Sequence, residues 1–107
     1  MTPKDKARFA AWAQISKALA HPIRLFIVDE LSRRDRCVCE LAALTDLDLS
    51  TVSRHLAALR HAGIVECTKT GTRITCRIRC KCVLSFFACV DGVLRANAKA
   101  QLALVEE

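Results

Sequence analysis

Apolar residues recur along this chain first at a helical period, then at a period of two, then at a helical period again. After Thr2-Pro3, a good helix start, Phe9, Trp12, Ile15 and Leu19 mark one side of a helix expected over about 4–20. His21-Pro22 opens the next helix, in which Ile23, Phe26, Ile27 and Leu31 fill the buried stripe and His21 is most simply a capping or packed histidine. A short helical pattern, VCELAAL at 38–44, breaks at Thr45-Asp46-Leu47, with Leu47 placed to fill the angle before the following helix. That helix, DLSTVSRHLAALRHAG at 48–63, has two faces. Leu49, Val52, Leu56 and Leu59 form an apolar stripe, while Ser50, Thr51, Ser53, Arg54 and His55 put small hydrogen-bonding and cationic groups on the other side. Asp48 is a good N-cap acceptor, Gly63 sits where a left-handed stop is expected, and Arg60 and His61 suit the helix dipole.

The period then changes to two. Residues 64–68 and 73–79 alternate on either side of Lys69-Thr70-Gly71-Thr72, a hairpin with Gly71 at positive φ. Counting from the turn, Val65, Cys67, Ile74, Cys76 and Ile78 share one face, and Arg73, Arg77 and Arg79 the other. A last helix over about 82–104 carries Val83, Phe86, Phe87, Val90, Val93 and Leu94 on an apolar surface wider than one small domain covers.

Helix, tight turn, polar-faced helix and basic hairpin make a winged helix-turn-helix: a mainly α fold with a small β-hairpin. The recognition helix is expected at about 48–62 and the wing at about 64–79. The first and last helices supply a two-helix dimer interface, so the expected partner set is a second copy and a palindromic double-stranded operator. Ser50, Thr51, Ser53, Arg54 and His55 would face DNA, and Arg73 would meet phosphate from the wing.

At 107 residues, 52% hydrophobic and 26% charged, the chain suits one domain over 1–107. Seventeen Lys and Arg against eleven Asp and Glu give +6, a balance that favours a polyanion. No apolar run approaches the roughly twenty residues of a membrane span, and the N-terminus lacks the apolar core of a signal peptide, so a cytoplasmic protein is expected.

Seven cysteines are far above ordinary usage. An odd count and a reducing compartment argue against a disulfide scaffold, leaving metal ligands, redox switches and buried thiols. By strand parity Cys67 and Cys76 are core fillers, and Cys89 is expected inside the dimer. Cys37-Val38-Cys39 is the sharpest signal for chemistry. Residues two apart in a helix diverge by about 200°, so both thiols can hold one ion only if Cys37 precedes the helix and Cys39 lies in its first turn. Free amides there, together with Arg33, Arg34 and Arg36, favour thiolate. The other Cys-x-Cys, Cys80-Lys81-Cys82, follows the second wing strand, which in a winged helix runs back beside residues 36–38. Cys80 or Cys82 is therefore a candidate third ligand, against the simpler reading that both start the last helix.

ALAHPIRLFIVDEL at 18–31, CVCEL at 37–41, STVSRHLAALRHAGIV at 50–65 and the hairpin together resemble the ArsR/SmtB winged-helix repressors, which release DNA on binding metal or metalloid. The resemblance covers nearly the whole chain. It implies that Cys37 and Cys39 are ligands, as the Cys-Val-Cys motif is in the family's arsenical, antimonial, cadmium and lead sensors. Three departures stand out: Ala42 replaces the third Cys of the arsenic pattern, no Cys precedes the motif to complete a cadmium-type site, and Asp91 has no His partners for a zinc-type one. The expected function is a homodimeric, non-enzymatic repressor needing no cofactor to bind DNA and released by arsenite or antimonite, since three thiolates suit a pyramidal trivalent centre. The alternatives are a cadmium or lead sensor and a thiol redox switch. An oxidoreductase would show Cys-x-x-Cys near a βαβ pattern, and neither is present.

Overall fold

The computed structural model describes residues 1–106. Helix α1 spans Pro3–Leu19, started by a capping box in which Thr2 Oγ1 accepts from the Asp5 amide and the Asp5 carboxylate accepts from the Thr2 amide. Helix α2 spans Pro22–Arg33 and is capped by His21, whose Nδ1 accepts from the Ile23 amide at 3.0 Å. The capping role expected of His21 is the one observed.

A two-residue strand β1, Arg36–Cys37, precedes α3, Val38–Thr45. Asp46 ends α3 in the left-handed region (φ 57°), which Asp tolerates better than most residues, and half-buried Leu47 packs against the core as expected. Helix α4 spans Leu49–His61, its N-cap Asp48 accepting from the Thr51 amide at 2.7 Å. Strands β2, Val65–Thr70, and β3, Arg73–Ile78, form the hairpin. Its loop is shorter than the sequence indicated: Thr70 pairs with Arg73, leaving Gly71 and Thr72, and Gly71 takes φ 62° as a two-residue hairpin with glycine first requires. A 3-10 turn, Lys81–Val83, leads into α5, Leu84–Ala103.

The sheet order is β1-β3-β2, all antiparallel. Strand β1 is the element that periodicity does not show: two residues carry no alternation, and the strand exists only because β3, paired with β2 along one edge, pairs with it along the other. Ile27, Val28, Leu41, Val52, Leu59, Val65 and Cys76 are fully buried and join α2, α3, α4 and the sheet into one core. Cys67 and Cys76 sit directly opposite each other, Cα–Cα 4.1 Å, and are disulfide-bonded. Both lie in or against the core, as expected of core fillers, and cross-strand register also makes them neighbours within bonding reach.

Helices α1 and α5 stand apart from this core. Only Ala18 and Leu19 of α1 are buried and no residue of α5 is, whereas Phe9, Trp12, Ile15, Phe86, Val90, Val93 and Leu94 are exposed. Phe26 of α2, expected in the core, lies instead at the edge of this face beside Phe86, Phe87 and Val90. Such a surface is larger in apolar content than a monomer ordinarily presents. No helix of the described residues is long and apolar enough to cross a membrane.

A Cβ added at Gly92, in the middle of α5, would meet nothing within 4 Å. Gly92→Ala is therefore expected to stabilise the isolated fold by about 1 kcal/mol through helix propensity. Urea unfolding checks this. A loss of stability at dimer-forming concentrations would instead mean that a second chain approaches the α5 backbone at that point.

Candidate nucleic-acid interface and thiol cleft

The exposed side of α4 is nearly the one its sequence outlined. Ser50, Ser53 and Arg54 are exposed and Thr51 is half-buried, with Arg54 Nη2 donating to Thr51 Oγ1 at 3.3 Å. Two residues are on the wrong side of the expected division. Leu49, assigned to the apolar stripe, is 52% exposed because it occupies the first helical position, before the helix has turned onto the core. His55, assigned to the reading face, is turned inward: its Nδ1 accepts from Arg24 Nε at 3.1 Å and its ring centroid lies 4.4 Å from that of His21. Burial first, then the neighbouring His21 and Arg24 charges, hold the His55 pKa below the ordinary histidine value. Through these contacts His55 fastens α4 to α2.

The three wing arginines differ in freedom. Arg77 Nε pairs with Glu66 at 2.9 Å across the hairpin, and Arg79 Nη1 donates to the Gly63 carbonyl. Arg73, at the wing tip and 66% exposed, makes only a long 3.4 Å contact with Glu40 Oε1. A charge this weakly held is available to a phosphate.

Cys37 and Cys39 have the arrangement that the spacing argument required. Cys37 is the extended N-cap of α3 (φ −81°, ψ 160°) and buried, while Cys39 lies in the first turn and is exposed. Both line one cleft of about 200 Å³, and its remaining walls are Leu49 and Ser53 of the recognition helix and Thr72, Arg73 and Ile74 of the wing. One carboxylate ties this corner together. Glu40 accepts from the Cys37 amide at 2.9 Å, from Arg36 at 3.0 Å and from Arg73, while Arg36 also reaches buried Glu30 at 2.7 Å. The Cys37 amide and then the Arg36 guanidinium hold the Glu40 carboxyl down to about 2.

A carboxyl held this low contributes stability in full above its ordinary value of 4.5 and loses it as pH falls toward 2. Glu40→Gln is expected to melt lower than the parent at pH 7, with the difference closing between about pH 4.5 and 2. Thermal melts across that range test it, and a difference that stayed constant would mean that it does not come from the Glu40 charge.

The structure does not bring the second Cys-x-Cys here. Strand β3 pairs Thr75 with Cys37 and Cys76 with Arg36, so continuing along it leads away from the cleft, and Cys80 and Cys82 line a separate groove with Ile15, Leu19 and Phe86. The neighbour relation between β3 and residues 36–37 is as expected; the error lies in register, which places residues 80–82 beyond the start of β1. Among the described residues no group of three His, Cys, Asp or Glu stands ready to hold a metal ion. Cys89 is exposed on α5.

A family model described as bacterial regulatory protein, arsR family, matches residues 21–66, which take in Cys37, Cys39 and the whole recognition helix. A solution structure of the homodimeric winged helix-turn-helix DNA-binding domain of Mb0332 from Mycobacterium bovis, a possible ArsR-family transcriptional regulator, superposes with a TM-score of 0.79 at 34% identity, covering 94% of this chain and 93% of that one. The chain belongs to the ArsR family. Among curated relatives, the HTH-type transcriptional regulator Rv0324 of Mycobacterium tuberculosis is 41% identical over 81 residues, 76% of this chain but 36% of that protein. The HTH-type transcriptional repressor SmtB of the same organism is 33% identical over 76 residues, 71% of this chain and 56% of the repressor. The chain thus spans between about a third and just over half of these two relatives. As an ArsR-family chain it is a regulatory protein and not an enzyme.

Proposed function

We propose that this chain is a homodimeric repressor that binds a palindromic operator and is released from it by trivalent arsenic or antimony bound to Cys37 and Cys39. The observation that carries this reading is the composition of the cleft: its two thiols share walls with the recognition helix and the wing tip. Closing both sulfurs on one ion pulls exposed Cys39 toward buried Cys37, which distorts the first turn of α3. That turn leads through Asp46 and Leu47 into α4, and its Glu40 contacts Arg73. A third position on the metalloid is filled by solvent hydroxide, since no third thiol stands in the cleft. Release of DNA follows because an ion that favours the distorted state must disfavour the DNA-competent one.

Dimerisation through α1 and α5 is supported by their exposed apolar face and by the homodimeric state of the related M. bovis domain. Ser50, Thr51, Ser53 and Arg54 then meet the major groove and Arg73 meets phosphate. Arg54→Ala is expected to weaken operator binding by about 1 to 3 kcal/mol with metalloid affinity intact, while Arg73→Ala lowers the salt slope by about one unit without altering sequence preference. Fluorescence titrations over several salt concentrations separate the two.

The Cys67–Cys76 bond favours a second reading, a thiol redox switch acting on the wing sheet. Metalloid stoichiometry and operator release, measured together under strong reductant, decide between them. Release by arsenite with both wing thiols reduced supports metalloid sensing; release only on oxidation overturns it.

A further inference from the structure

The wing arginine and the thiol-bearing turn meet on a single oxygen. Glu40 Oε1 accepts from the Cys37 amide at 2.9 Å and from Arg73 Nη2, 33 residues further along the chain, at 3.4 Å. Its other oxygen, Oε2, accepts from Arg36 Nη1 at 3.0 Å. Arg36 is itself fixed, because its Nε and Nη2 both donate to Oε1 of buried Glu30, at 3.1 and 2.7 Å. The Glu40 carboxylate is thus pinned through one oxygen and shared through the other.

The two claims on Oε1 are unequal. The amide bond has an ordinary length, whereas the Arg73 contact lies beyond the roughly 2.7–3.2 Å of a well-formed N–H···O bond, so Arg73 is held by charge at long range and has room to close in. Arg73 is also the exposed wing cation left for phosphate. A phosphate and the Glu40 carboxylate are both oxyanions with which a guanidinium pairs, so each weakens the hold of the other.

We propose that Glu40 is a positioning residue that competes with operator phosphate for Arg73, and that the Cys37 amide sets how strongly it competes. While the first turn of α3 is intact, the amide occupies Oε1 and Arg73 is only weakly retained. Closing Cys37 and Cys39 on one metalloid distorts that turn, moves the amide off Oε1, and leaves the oxygen's charge to draw Arg73 in from 3.4 Å. Charge-assisted pairs of this kind are the strong ones, and an Arg73 held so is lost to the DNA. The trigger rests on the metalloid reading above; the competition for Arg73 does not.

The test uses the full reduced chain in operator titrations over several salt concentrations, with Glu40→Gln, Arg73→Ala and the double variant. Glutamine still accepts from the Cys37 amide in a capping box but carries no charge for Arg73, so the helix start is kept and the competition removed. Without arsenite, Glu40→Gln should bind the operator about two- to fivefold more tightly than the parent, and that gain should vanish in the Arg73→Ala background. Arsenite should lower the salt slope of the parent by about one unit, as Arg73→Ala alone does, and leave the slope of Glu40→Gln where it was. The slope counts phosphate contacts, so a merely structural loss at Glu40 would not move it in this pattern. Operator affinity of Glu40→Gln equal to or below the parent's, a gain that survives Arg73→Ala, or an arsenite-dependent slope in Glu40→Gln equal to the parent's would each overturn the proposal. A parent that arsenite does not release would sink the metalloid reading and the trigger with it, while the arsenite-free comparison decides the competition on its own.

Discussion

Cys37→Ser and Cys39→Ser are each expected to bind the operator like the parent and to keep it when arsenite is added. The parent should lose operator affinity by a factor of about 5 to 150, the usual range for coupling between two sites, and by linkage the operator should weaken arsenite binding by the same factor. The serine variants remove the soft donor while preserving size, so the uncoupling is a loss of chemistry and not of fold. Cys67→Ser, Cys76→Ser, Cys80→Ser and Cys82→Ser should all respond to arsenite, because none of the four lines the cleft. Electrophoretic or fluorescence operator titrations with and without arsenite read both halves of the linkage. A parental response in Cys37→Ser and Cys39→Ser alike would remove the cleft from induction.

Leu41→Ala is expected to destabilise the fold by about 2 to 5 kcal/mol, the range for deleting most of a buried leucine side chain and leaving a cavity. Leu41 is fully buried in α3, within the core shared with Val52, Leu56 and Leu59 of α4. The loss should appear in urea as a lower midpoint with the slope unchanged. A cost below about 1 kcal/mol would mean that the short α3 collapses into the space, and that the angle between α3 and α4 is softer than its packing indicates.

What the sequence made legible was local. Thr2, Pro22, Asp48, Gly63 and Gly71 each act through hydrogen bonds or backbone angles within a few residues, and each sits where its chemistry placed it. Face assignment inside α4 was correct at Val52, Leu56 and Leu59, which are buried, and at Ser50, Ser53 and Arg54, which are exposed. It failed at Leu49, where the helix has barely begun, and at His55, whose partner Arg24 is 31 residues away. Parity put Cys67 and Cys76 on one face; only register makes them opposite each other, and register depends on a loop of two residues and not four. The same dependence on register removes Cys80 and Cys82 from the cleft. Nothing periodic announces β1, yet it is the strand on which the position of Cys37 rests.

Strand β1 also changes what kind of object the wing is. A hairpin attached only at its base would wander independently of the helices. This one is clamped by two pairings, Arg36 with Cys76 and Cys37 with Thr75, and its tip at Gly71 lies beyond them. The arrangement is a lever with its fulcrum at the thiol-bearing residue. Thr75, the partner of Cys37, is four residue steps from Gly71, so at 3.3 to 3.4 Å each a tilt of ten degrees at the fulcrum sweeps the tip through roughly 2 Å. Added to a hydrogen bond to phosphate, that displacement carries donor and acceptor well out of bonding range. A small tilt at Cys37 is thereby geared up, by strand length alone, into a larger displacement of the wing tip.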